Sequence, residues 1–285
     1  MGRAQLVSLG CVGAAAVLAL AKYLAQRRRG PKVCASLEGK VVLVTGAESG
    51  LGLEFSRLCL ARGATVYATC RWPAQADGLK ALAATVAGSR LAVIELDITN
   101  PAPGCAAVVA DLKRSGRPLD ILINNAGIAT KNHPFDPIIS QDVDENIRLF
   151  SNNVGGTIKT TNAFLGAMEG GCKMVVSLSS DLGSITNAVC AQSVKVQAGG
   201  VSCYRISKAA INMATRIYYA ELAPRGFTVL AMSPGWVVTQ MGSKGGRTPP
   251  LNPNQACTGM LDVLQGVTFA DSGKYFKYDG TQLPW

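Results

Sequence analysis

The stretch that decides the fold is V-V-L-V-T-G-A-E-S-G-L-G, residues 41–52. Its first four residues are a β-branched and aliphatic run, typical of a strand that is buried on both faces. A glycine-rich turn follows at once, and a helical pattern of apolar residues begins at Leu51. Strand, glycine-rich turn and helix in this order predict a dinucleotide-binding turn, with an ordinary strand-to-helix turn as the alternative.

Three glycines give the turn its predicted chemistry. Gly46 permits the tight turn after the strand, and Gly50 lets the backbone approach a pyrophosphate at the helix N-terminus. Gly52 allows the helix to pack closely on the strand. The cofactor contacts predicted in this turn are Gly46, Glu48, Ser49, Gly50, Leu51 and Gly52.

Beyond this turn, short β-rich runs alternate with stretches of helical length. The predicted strands are 41–44, 65–69, 92–96, 121–123, 174–178 and 228–232, and 51–62 and 209–222 are predicted helices. Alternating strands and helices predict an α/β fold with a Rossmann-type, doubly wound parallel sheet. We expect a single domain over residues 40–285 and a loop over residues 242–255, which are rich in Gly, Ser, Lys, Pro and Asn.

The first 39 residues read differently. Residues 6–21 carry no charge, Lys22 interrupts the apolar run, and three arginines follow at 27–29. A membrane span needs roughly 20 residues, which snorkelling by Lys22 would allow. The basic cluster after the run favours a membrane-anchoring helix with the catalytic domain in the cytosol. A cleaved signal peptide, an organelle transit peptide and an unstructured tail are the alternatives.

Charge and composition narrow the function classes. The net charge is +10, but residues 1–40 hold seven basic residues and one acid, so most of the excess lies there. This argues against a nucleic-acid partner. Nine cysteines without a C-x-x-C pair predict reduced, mostly buried thiols and neither a disulfide framework nor a zinc site. The single histidine, His133, is expected to be a solvated loop residue.

Tyr204 and Lys208 form a Y-x-x-x-K pair at the start of a predicted helix. A spacing of four residues places both side chains on one helix face. A free phenol has a pKa near 10, and a neighbouring ammonium is expected to lower that pKa. Tyr204 is therefore a candidate acid/base for carbonyl chemistry with a nicotinamide cofactor. A surface helix pair is the alternative reading of the pattern.

Taken together, the motifs resemble the short-chain dehydrogenase/reductase family over residues 40–285. The glycine turn reads T-G-x-x-x-G-x-G, residues 124–127 read N-N-A-G, and residues 234–237 read P-G-W-V. The C-terminal stretch 273–285 resembles the C-factor and sniffer-like carbonyl reductases. The resemblance implies cofactor contacts also from Asp97, Ile98, Asn125, Ala126, Gly127, Tyr204, Lys208, Pro234, Gly235, Val237 and Thr239.

The resemblance also completes a catalytic set around Tyr204 and Lys208. Ser180 matches the family serine that binds the substrate oxygen, and Asn153 matches the asparagine whose helix distortion holds a relay water. Their neighbours Ser179 and Asn152 are the structural alternatives. Ser180 and Tyr204 lie 24 residues apart, more than in most members, and the extra segment around 188–202 is expected at the substrate mouth.

Arg71 ends the second predicted strand, where an NAD-preferring site carries a carboxylate. Its guanidinium can bind a ribose 2′-phosphate, which favours NADP(H), although a solvated surface arginine is the alternative. Many NADPH-preferring members of the family carry a basic residue near the position of Glu48. The acid at this position argues against NADP(H), so NAD(H) is the alternative cofactor.

We therefore expect an NAD(P)(H)-dependent oxidoreductase that acts on a carbonyl or alcohol substrate. The alternative class is a dinucleotide-binding signalling or sensor protein that resembles C-factor. A homodimer or homotetramer through the helix of Tyr204 is possible, because Ala209, Ala210 and Ala214 would allow close packing. No metal site is predicted.

Overall fold

The computed structural model describes residues 30–86, 88–131, 138–189, 201–243 and 246–285. In this part of the chain seven strands form one parallel sheet with the order β3-β2-β1-β4-β5-β6-β7. The sheet confirms the predicted Rossmann-type α/β fold. The strands are β1 (Val41–Thr45), β2 (Thr65–Cys70), β3 (Leu91–Glu95), β4 (Ile121–Asn124), β5 (Met174–Leu178), β6 (Thr228–Ser233) and β7 (Tyr275–Lys277).

Helices cover both faces of the sheet. Successive residues of β1 alternate between two cores, since Val42 and Val44 belong to one cluster and Val41 and Leu43 to the other. Residues of α1 and α7 fill the first core, and residues of α3, α5 and α6 help to fill the second. The helices are α1 (Gly50–Ala61), α2 (Asp77–Thr85), α3 (Ala102–Ser115), α4 (Val143–Leu149), α5 (Thr157–Phe164), α6 (Ser202–Leu222) and α7 (Pro253–Gly266).

The strand order reverses between β1 and β4. The chain runs outwards from β1 to β3, then returns to β4 on the other side of β1 and continues to β7. At such a reversal the loops that leave β1 and β4 diverge, and a crevice opens at the carboxyl ends of the strands. The fold therefore places the glycine-rich turn and the N-N-A-G stretch beside one crevice.

The predicted elements differ from the structure mainly at their ends. Helix α6 begins at Ser202 rather than at 209, so Tyr204 and Lys208 lie in its first two turns. The predicted loop 242–255 ends earlier, because α7 begins at Pro253 with Asn252 and Gln255 in a capping box. Leu251 pairs with Val237, which ties the end of this loop to the segment after β6.

The described cysteines fit the prediction of reduced thiols. All seven are free, and six of them are buried: Cys34, Cys59, Cys70, Cys105, Cys203 and Cys257. Five of them pack as small apolar side chains in the two cores, and Cys203 donates to the Gln141 Oε1 at 2.7 Å. Cys11, Cys190 and His133 lie outside the described residues.

Residues 32–39 pack onto the domain, although the sequence assigned them to the N-terminal segment. Leu37 and Cys34 are 1 % and 3 % exposed and belong to the same core as α7. The Val33 N–H donates to the Val267 carbonyl at 3.0 Å, and Lys32 forms a β-bridge with Thr268. The folded domain thus begins about eight residues before the predicted boundary at 40.

The predicted membrane-anchoring stretch 6–21 and its basic flank lie outside the described residues. Among the helices that the structure does describe, none has the length and apolar character needed to cross a bilayer.

Two truncations test whether residues 1–29 form the predicted anchor, separate from the folded domain. Deleting residues 1–29 should leave the melting temperature and activity of the catalytic domain unchanged and release the protein from membranes. Deleting residues 1–39 also removes Leu37, and the loss of one such core leucine costs about 2–5 kcal/mol. Thermal unfolding of both truncations, with carbonate extraction of membranes for the full chain, checks this. Equal melting temperatures would show that residues 30–39 add nothing to the fold, and a full-length chain that stays soluble and uncleaved would contradict the anchor.

Candidate active site

The turn after β1 is shaped by close backbone contacts. Gly46 has a φ of +64°, in the left-handed region that favours glycine, and a Cβ on it would lie 2.9 Å from the Ala126 Cα. A Cβ on Gly52 would lie 2.1 Å from the Gly46 carbonyl oxygen. Helix α1 therefore approaches β1 as closely as the sequence pattern predicts.

Asn125 joins this turn to β4. Its Nδ2 donates to the carbonyls of Thr45 and Gly46 at 2.8 and 2.9 Å. In return the Thr45 Oγ1 accepts the N–H groups of Asn125 and Ala126, both at 3.0 Å. These four bonds fix the geometry of the turn from the neighbouring strand.

The N-terminus of α1 fits an anionic group. The side chain of its N-cap residue, Ser49, makes no capping hydrogen bond in the described structure, and the first turn carries no acid. The first N–H groups of a helix lack intrahelical partners and carry a partial positive charge. Gly50, whose φ is +55°, faces Thr239 across the turn, where a Cβ would be 3.4 Å from the Thr239 methyl. The turn is thus a cradle that fits the pyrophosphate of a dinucleotide.

A cavity of about 690 Å³ opens at the carboxyl ends of the strands beside this turn. Most of the predicted site residues line it, namely Gly46, Glu48, Ser49, Gly50, Leu51, Arg71, Ile98, Asn125, Ala126, Gly127, Tyr204, Lys208, Pro234 and Thr239. The volume and the spread of these residues suit an extended dinucleotide with room for a small substrate.

Four predicted cofactor contacts are not in the cavity wall. Gly52 packs beneath the turn against Gly46, and Val237 is 4 % exposed and paired with Leu251. The carboxylate of Asp97 accepts the N–H and hydroxyl of Thr99, both at 2.8 Å, so it caps its own turn. Gly235 has a φ of +74° and supports the turn after Pro234.

Arg71 lies at the edge of the cavity, beyond β2. Its guanidinium stacks over the Trp72 ring at 4.5 Å and is exposed. Glu48 also lines the cavity, and its charge helps to raise the pKa of the Cys70 thiol next to Arg71, although burial is the larger cause. The two residues that argue for and against a 2′-phosphate therefore lie at the same end of the cavity.

Tyr204 and Lys208 lie together on α6. Lys208 is 5 % exposed, its Nζ donates to the Leu178 carbonyl at 2.6 Å, and it lies 5.5 Å from the centre of the Tyr204 ring. Burial lowers the pKa of Lys208 to about 8, because a low-dielectric site disfavours the ammonium. The pair thus has the geometry that the Y-x-x-x-K spacing predicts.

The expected fall in the pKa of Tyr204 is wrong for the protein without its ligands. Burial raises this pKa to about 12, and the hydrogen bond with Ser180 only partly opposes the rise. Desolvation of the phenolate is the larger cause, and burial also disfavours the neighbouring Lys208 ammonium. Tyr204 is consequently a protonated phenol at neutral pH.

The two serines of S-L-S-S have different surroundings. Ser180 shares a hydrogen bond with Tyr204, and its Oγ accepts the Leu182 N–H at 3.3 Å. Ser179 is 2 % exposed, and its Oγ donates to the Lys208 carbonyl at 3.4 Å. The structure places Ser180 next to the Tyr204 phenol, as the family register implies, although it is Ser179 that lines the cavity and connects β5 to α6. Neither Ser180 nor Asn153 is part of the cavity wall.

Asn153 lies in a π-helical segment, Phe150–Gly156, between α4 and α5. Its Nδ2 donates to the Ile128 carbonyl and the Ser207 Oγ, at 3.0 and 3.1 Å, and its Oδ1 accepts the Ile128 N–H at 2.8 Å. The helix distortion implied by the resemblance is therefore present. A Cβ on Gly127 would lie 3.3 Å from the Asn153 Oδ1 and 3.8 Å from the Lys208 Nζ, so this glycine keeps the space between them open.

Other wall residues were missed by sequence reasoning. Ser179 and Asn152 were expected to be structural neighbours only, and most of the others flank the motifs and could have been found by extending each motif. Arg148 needed the helix geometry of α4. Arg148 is ion-paired with Glu145 at 2.6 Å. The missed residues are Cys70, Leu96, Ile128, Ala129, Thr130, Lys131, Arg148, Asn152, Leu178, Ser179, Gln240 and Met241. The predicted substrate-mouth segment 188–202 lies mostly outside the described residues.

Comparisons with known proteins agree with this site. The model of the short chain dehydrogenase family matches residues 40–249. A 1-hydroxy-2-glutathionyl-2-methyl-3-butene dehydrogenase of Rhodococcus sp. (strain AD45) is 30 % identical over 247 residues, 86 % of this chain and 99 % of that protein. The C-signal protein of Myxococcus xanthus is 36 % identical over 169 residues, 59 % of this chain and 93 % of that protein.

Two solved structures share the fold closely. The NADPH-bound carbonyl reductase from chicken fatty liver has a TM-score of 0.76 and 31 % identity, covering 87 % of this chain and 95 % of that one. The carbonyl reductase Sniffer of D. melanogaster has a TM-score of 0.74 and 29 % identity, covering 87 % of this chain and all of that one.

The packing of the glycine turn predicts a cofactor-binding defect. In Gly52→Ala the new methyl would overlap the Gly46 carbonyl, so the turn must open and NADPH affinity should fall at least about tenfold, a loss of about 1.4 kcal/mol. Fluorescence titration with NADPH measures this. Gly166→Ala is the control, because a Cβ there meets no atom within 4 Å. Unchanged NADPH affinity in Gly52→Ala would mean that this turn does not hold the cofactor.

Proposed function

The chain belongs to the short-chain dehydrogenase family, and from that premise we propose that it is an NADPH-preferring carbonyl reductase. The observation that carries the proposal is that Tyr204 and Lys208 line the same cavity as the glycine turn, with Ser180 beside Tyr204. This is the arrangement needed for hydride and proton transfer to one carbonyl group. The likeness to the NADPH-bound carbonyl reductase from chicken supports both the reaction and the cofactor.

When bound, the reduced nicotinamide supplies the hydride for the carbonyl carbon. Tyr204 donates its phenolic proton to the carbonyl oxygen, and its raised pKa keeps that proton in place at neutral pH. The Ser180 hydroxyl binds the same oxygen and stabilises the negative charge that develops on it. The products of this step are an alcohol and the oxidised cofactor.

Lys208 and Asn153 support the proton supply. The Lys208 ammonium is the cation closest to Tyr204 among the described contacts of that ring, and it stabilises the phenolate that remains after proton transfer. Asn153 and Lys208 both face the space that Gly127 leaves open, where a water for proton relay can be held. Together they return a proton to Tyr204 after each turnover.

The preference for NADPH rests on Arg71. Its planar guanidinium is exposed at the cavity edge beyond β2 and stacked on Trp72, which orients its donors for a phosphate. Glu48 at the same edge weakens this preference, so we propose NADPH as the favoured cofactor with NADH still accepted.

A homodimer through α6 remains part of the proposal. The exposed surface of this helix carries Met213 and Ile217, 61 % and 51 % exposed, and the neighbouring segment exposes Ile147 and Phe150 at 58 % and 50 %. Apolar side chains grouped on adjacent elements favour contact with another protein surface. The signalling alternative is supported by the similarity to C-signal, but it does not require Tyr204, Ser180 and Lys208 to lie together.

The proton-donor assignment is tested by Tyr204→Phe. This variant removes the phenolic proton and almost no volume, so carbonyl-dependent NADPH oxidation should fall at least about 100-fold while NADPH affinity is retained. Tyr218→Phe on the same helix is the control, because its hydroxyl bonds to Ile158 and Asn162, away from the cavity. A rate above a tenth of wild type, a loss under about 1.4 kcal/mol, would overturn the assignment and favour a binding protein.

The cofactor preference is tested by Arg71→Asp. The variant loses a partner for the 2′-phosphate and gains a carboxylate for the ribose 2′-hydroxyl, so the ratio of kcat/KM for NADPH to that for NADH should fall at least about tenfold. Lys113→Asp, with the same change of charge at the far end of α3, controls for the net charge. A ratio that does not move would make Arg71 a surface charge only.

A further inference from the structure

Tyr275 lies beneath the catalytic serine, although it is 95 residues further along the chain. Its side chain is fully buried, and its hydroxyl donates to the backbone carbonyl of Ser180. Burial raises the pKa of this phenol far above its usual value, so the hydroxyl stays a donor. β7 carries Tyr275 into this position by pairing with Ala231 of β6.

The Ser180 peptide needs such a support because the chain leaves the sheet there. β5 ends at Leu178, and the Ser179 N–H still donates to Met232 of β6 at 2.7 Å. From Ser180 onwards the backbone turns into a short 3₁₀ helix, Asp181–Gly183. The Ser180 carbonyl accepts the Gly183 N–H at 2.7 Å and the Tyr275 hydroxyl, so Tyr275 connects this turn to the sheet.

The same turn is fastened to the helix of Tyr204. Asn212 lies two turns after Tyr204 and one after Lys208, on the same face of α6, and its Nδ2 donates to the Gly183 carbonyl at 3.1 Å. The Tyr275 hydroxyl also lies within hydrogen-bonding reach of Asn212. A Cβ on Gly183 would lie 2.9 Å from Lys208, so the turn rests directly on α6.

Trp285 holds the Tyr275 ring and the turn together. The two rings stack with centroids 5.3 Å apart and an interplanar angle of 20°. The Trp285 carbonyl accepts the Thr186 N–H at 2.8 Å and the Ser184 hydroxyl at 3.2 Å. Arg216 of α6 lies over the Trp285 ring at 5.9 Å. The chain from Gly273 to Trp285 thus supports the serine turn from below.

We propose that Tyr275 is a positioning residue of the reaction: its bond to the Ser180 carbonyl keeps the Ser180 hydroxyl beside Tyr204. The inference rests on the proposed function and extends it to a residue that touches neither cofactor nor substrate. The Gly183 N–H and the bond from the Asp181 N–H to the Ser233 Oγ, at 2.7 and 3.0 Å, still hold this peptide when the Tyr275 bond is lost. With one of three bonds gone, the peptide is held less firmly, and the serine hydroxyl is aligned less well with the phenol and the carbonyl oxygen. The cofactor cradle, which belongs to β1, β4 and α1, is unaffected.

Tyr275→Phe removes this one hydroxyl and keeps the ring. The expected result is a fall in kcat of about tenfold with the NADPH dissociation constant unchanged. The hydrogen bond from Ser180 lowers the pKa of Tyr204, so its loss should raise that pKa and move the alkaline limb of the carbonyl-reduction pH profile upwards. A purely structural role would not move that limb. Tyr67→Phe is the control, because it removes a phenol that bonds Asp111 at 2.6 Å, away from the cavity.

A double-mutant cycle isolates the route of the effect. In the Ser180→Ala background Tyr275→Phe should change kcat less than twofold, because the serine hydroxyl that it positions is already gone. Asn212→Ala, which loosens the same turn through Gly183, should resemble Tyr275→Phe in kcat and in the pH shift. Additive losses with Ser180→Ala, an unmoved pH limb, or a Tyr275→Phe protein that fails to fold or to bind NADPH would each overturn the positioning role.

Ultraviolet difference titration of the Tyr204 phenol, with Tyr204→Phe as the blank, gives a readout that does not need turnover. The proposed function fails if none of the carbonyl compounds tested causes the wild-type protein to oxidise NADPH. The positioning of Ser180 is then judged by this titration alone. An upward shift of the Tyr204 pKa in Tyr275→Phe, absent in Tyr67→Phe, supports it, and no shift overturns it.

Discussion

The geometry of the site depends on two hydrogen bonds that the Asn125 side chain donates to the carbonyls of Thr45 and Gly46. They join β1 to β4 where the strand order of the sheet reverses, and the crevice at this reversal is where a ligand can enter. The same bonds set the path of the glycine turn, so that α1 points its N-terminus into the crevice. The cavity beside the turn and the cradle for an anion take their positions from this junction.

Burial determines the chemistry at the other end of the cavity. Both Tyr204 and Lys208 are in surroundings that disfavour their charged forms, which raises the pKa of the phenol to about 12 and lowers that of the ammonium to about 8. A protonated phenol is the state needed to give a proton to a carbonyl oxygen. An oxidised nicotinamide beside the pair would favour the phenolate instead, which is the state that accepts a proton in the reverse, alcohol-oxidising direction.

The strands, the glycine turn and the Y-x-x-x-K pair were predictable because each is encoded by a short stretch of sequence with a characteristic period or spacing. The packing of Leu37 was not, since a single buried leucine outside any repeat gives no periodic signal. The direction of the Tyr204 pKa depends on how much of the fold surrounds the phenol, which no local pattern encodes. The contact between Tyr275 and Ser180 could not be predicted either, because it forms only once β7 has joined the sheet.

These contacts separate the parts of the site that fix the reaction from those that choose the substrate. Asn125 fixes the glycine turn at the cofactor end of the cavity. Tyr275 on β7 and Asn212 on α6, together with Trp285, support the turn that carries Ser180. The wall that is left for the substrate includes chain that follows these elements, such as Gln240 and Met241 after Thr239. Loops of this kind change their side chains at little cost to the fold. Membership of the family therefore defines the hydride and proton transfer, whereas the identity of the carbonyl compound depends on loop residues that the scaffold does not constrain.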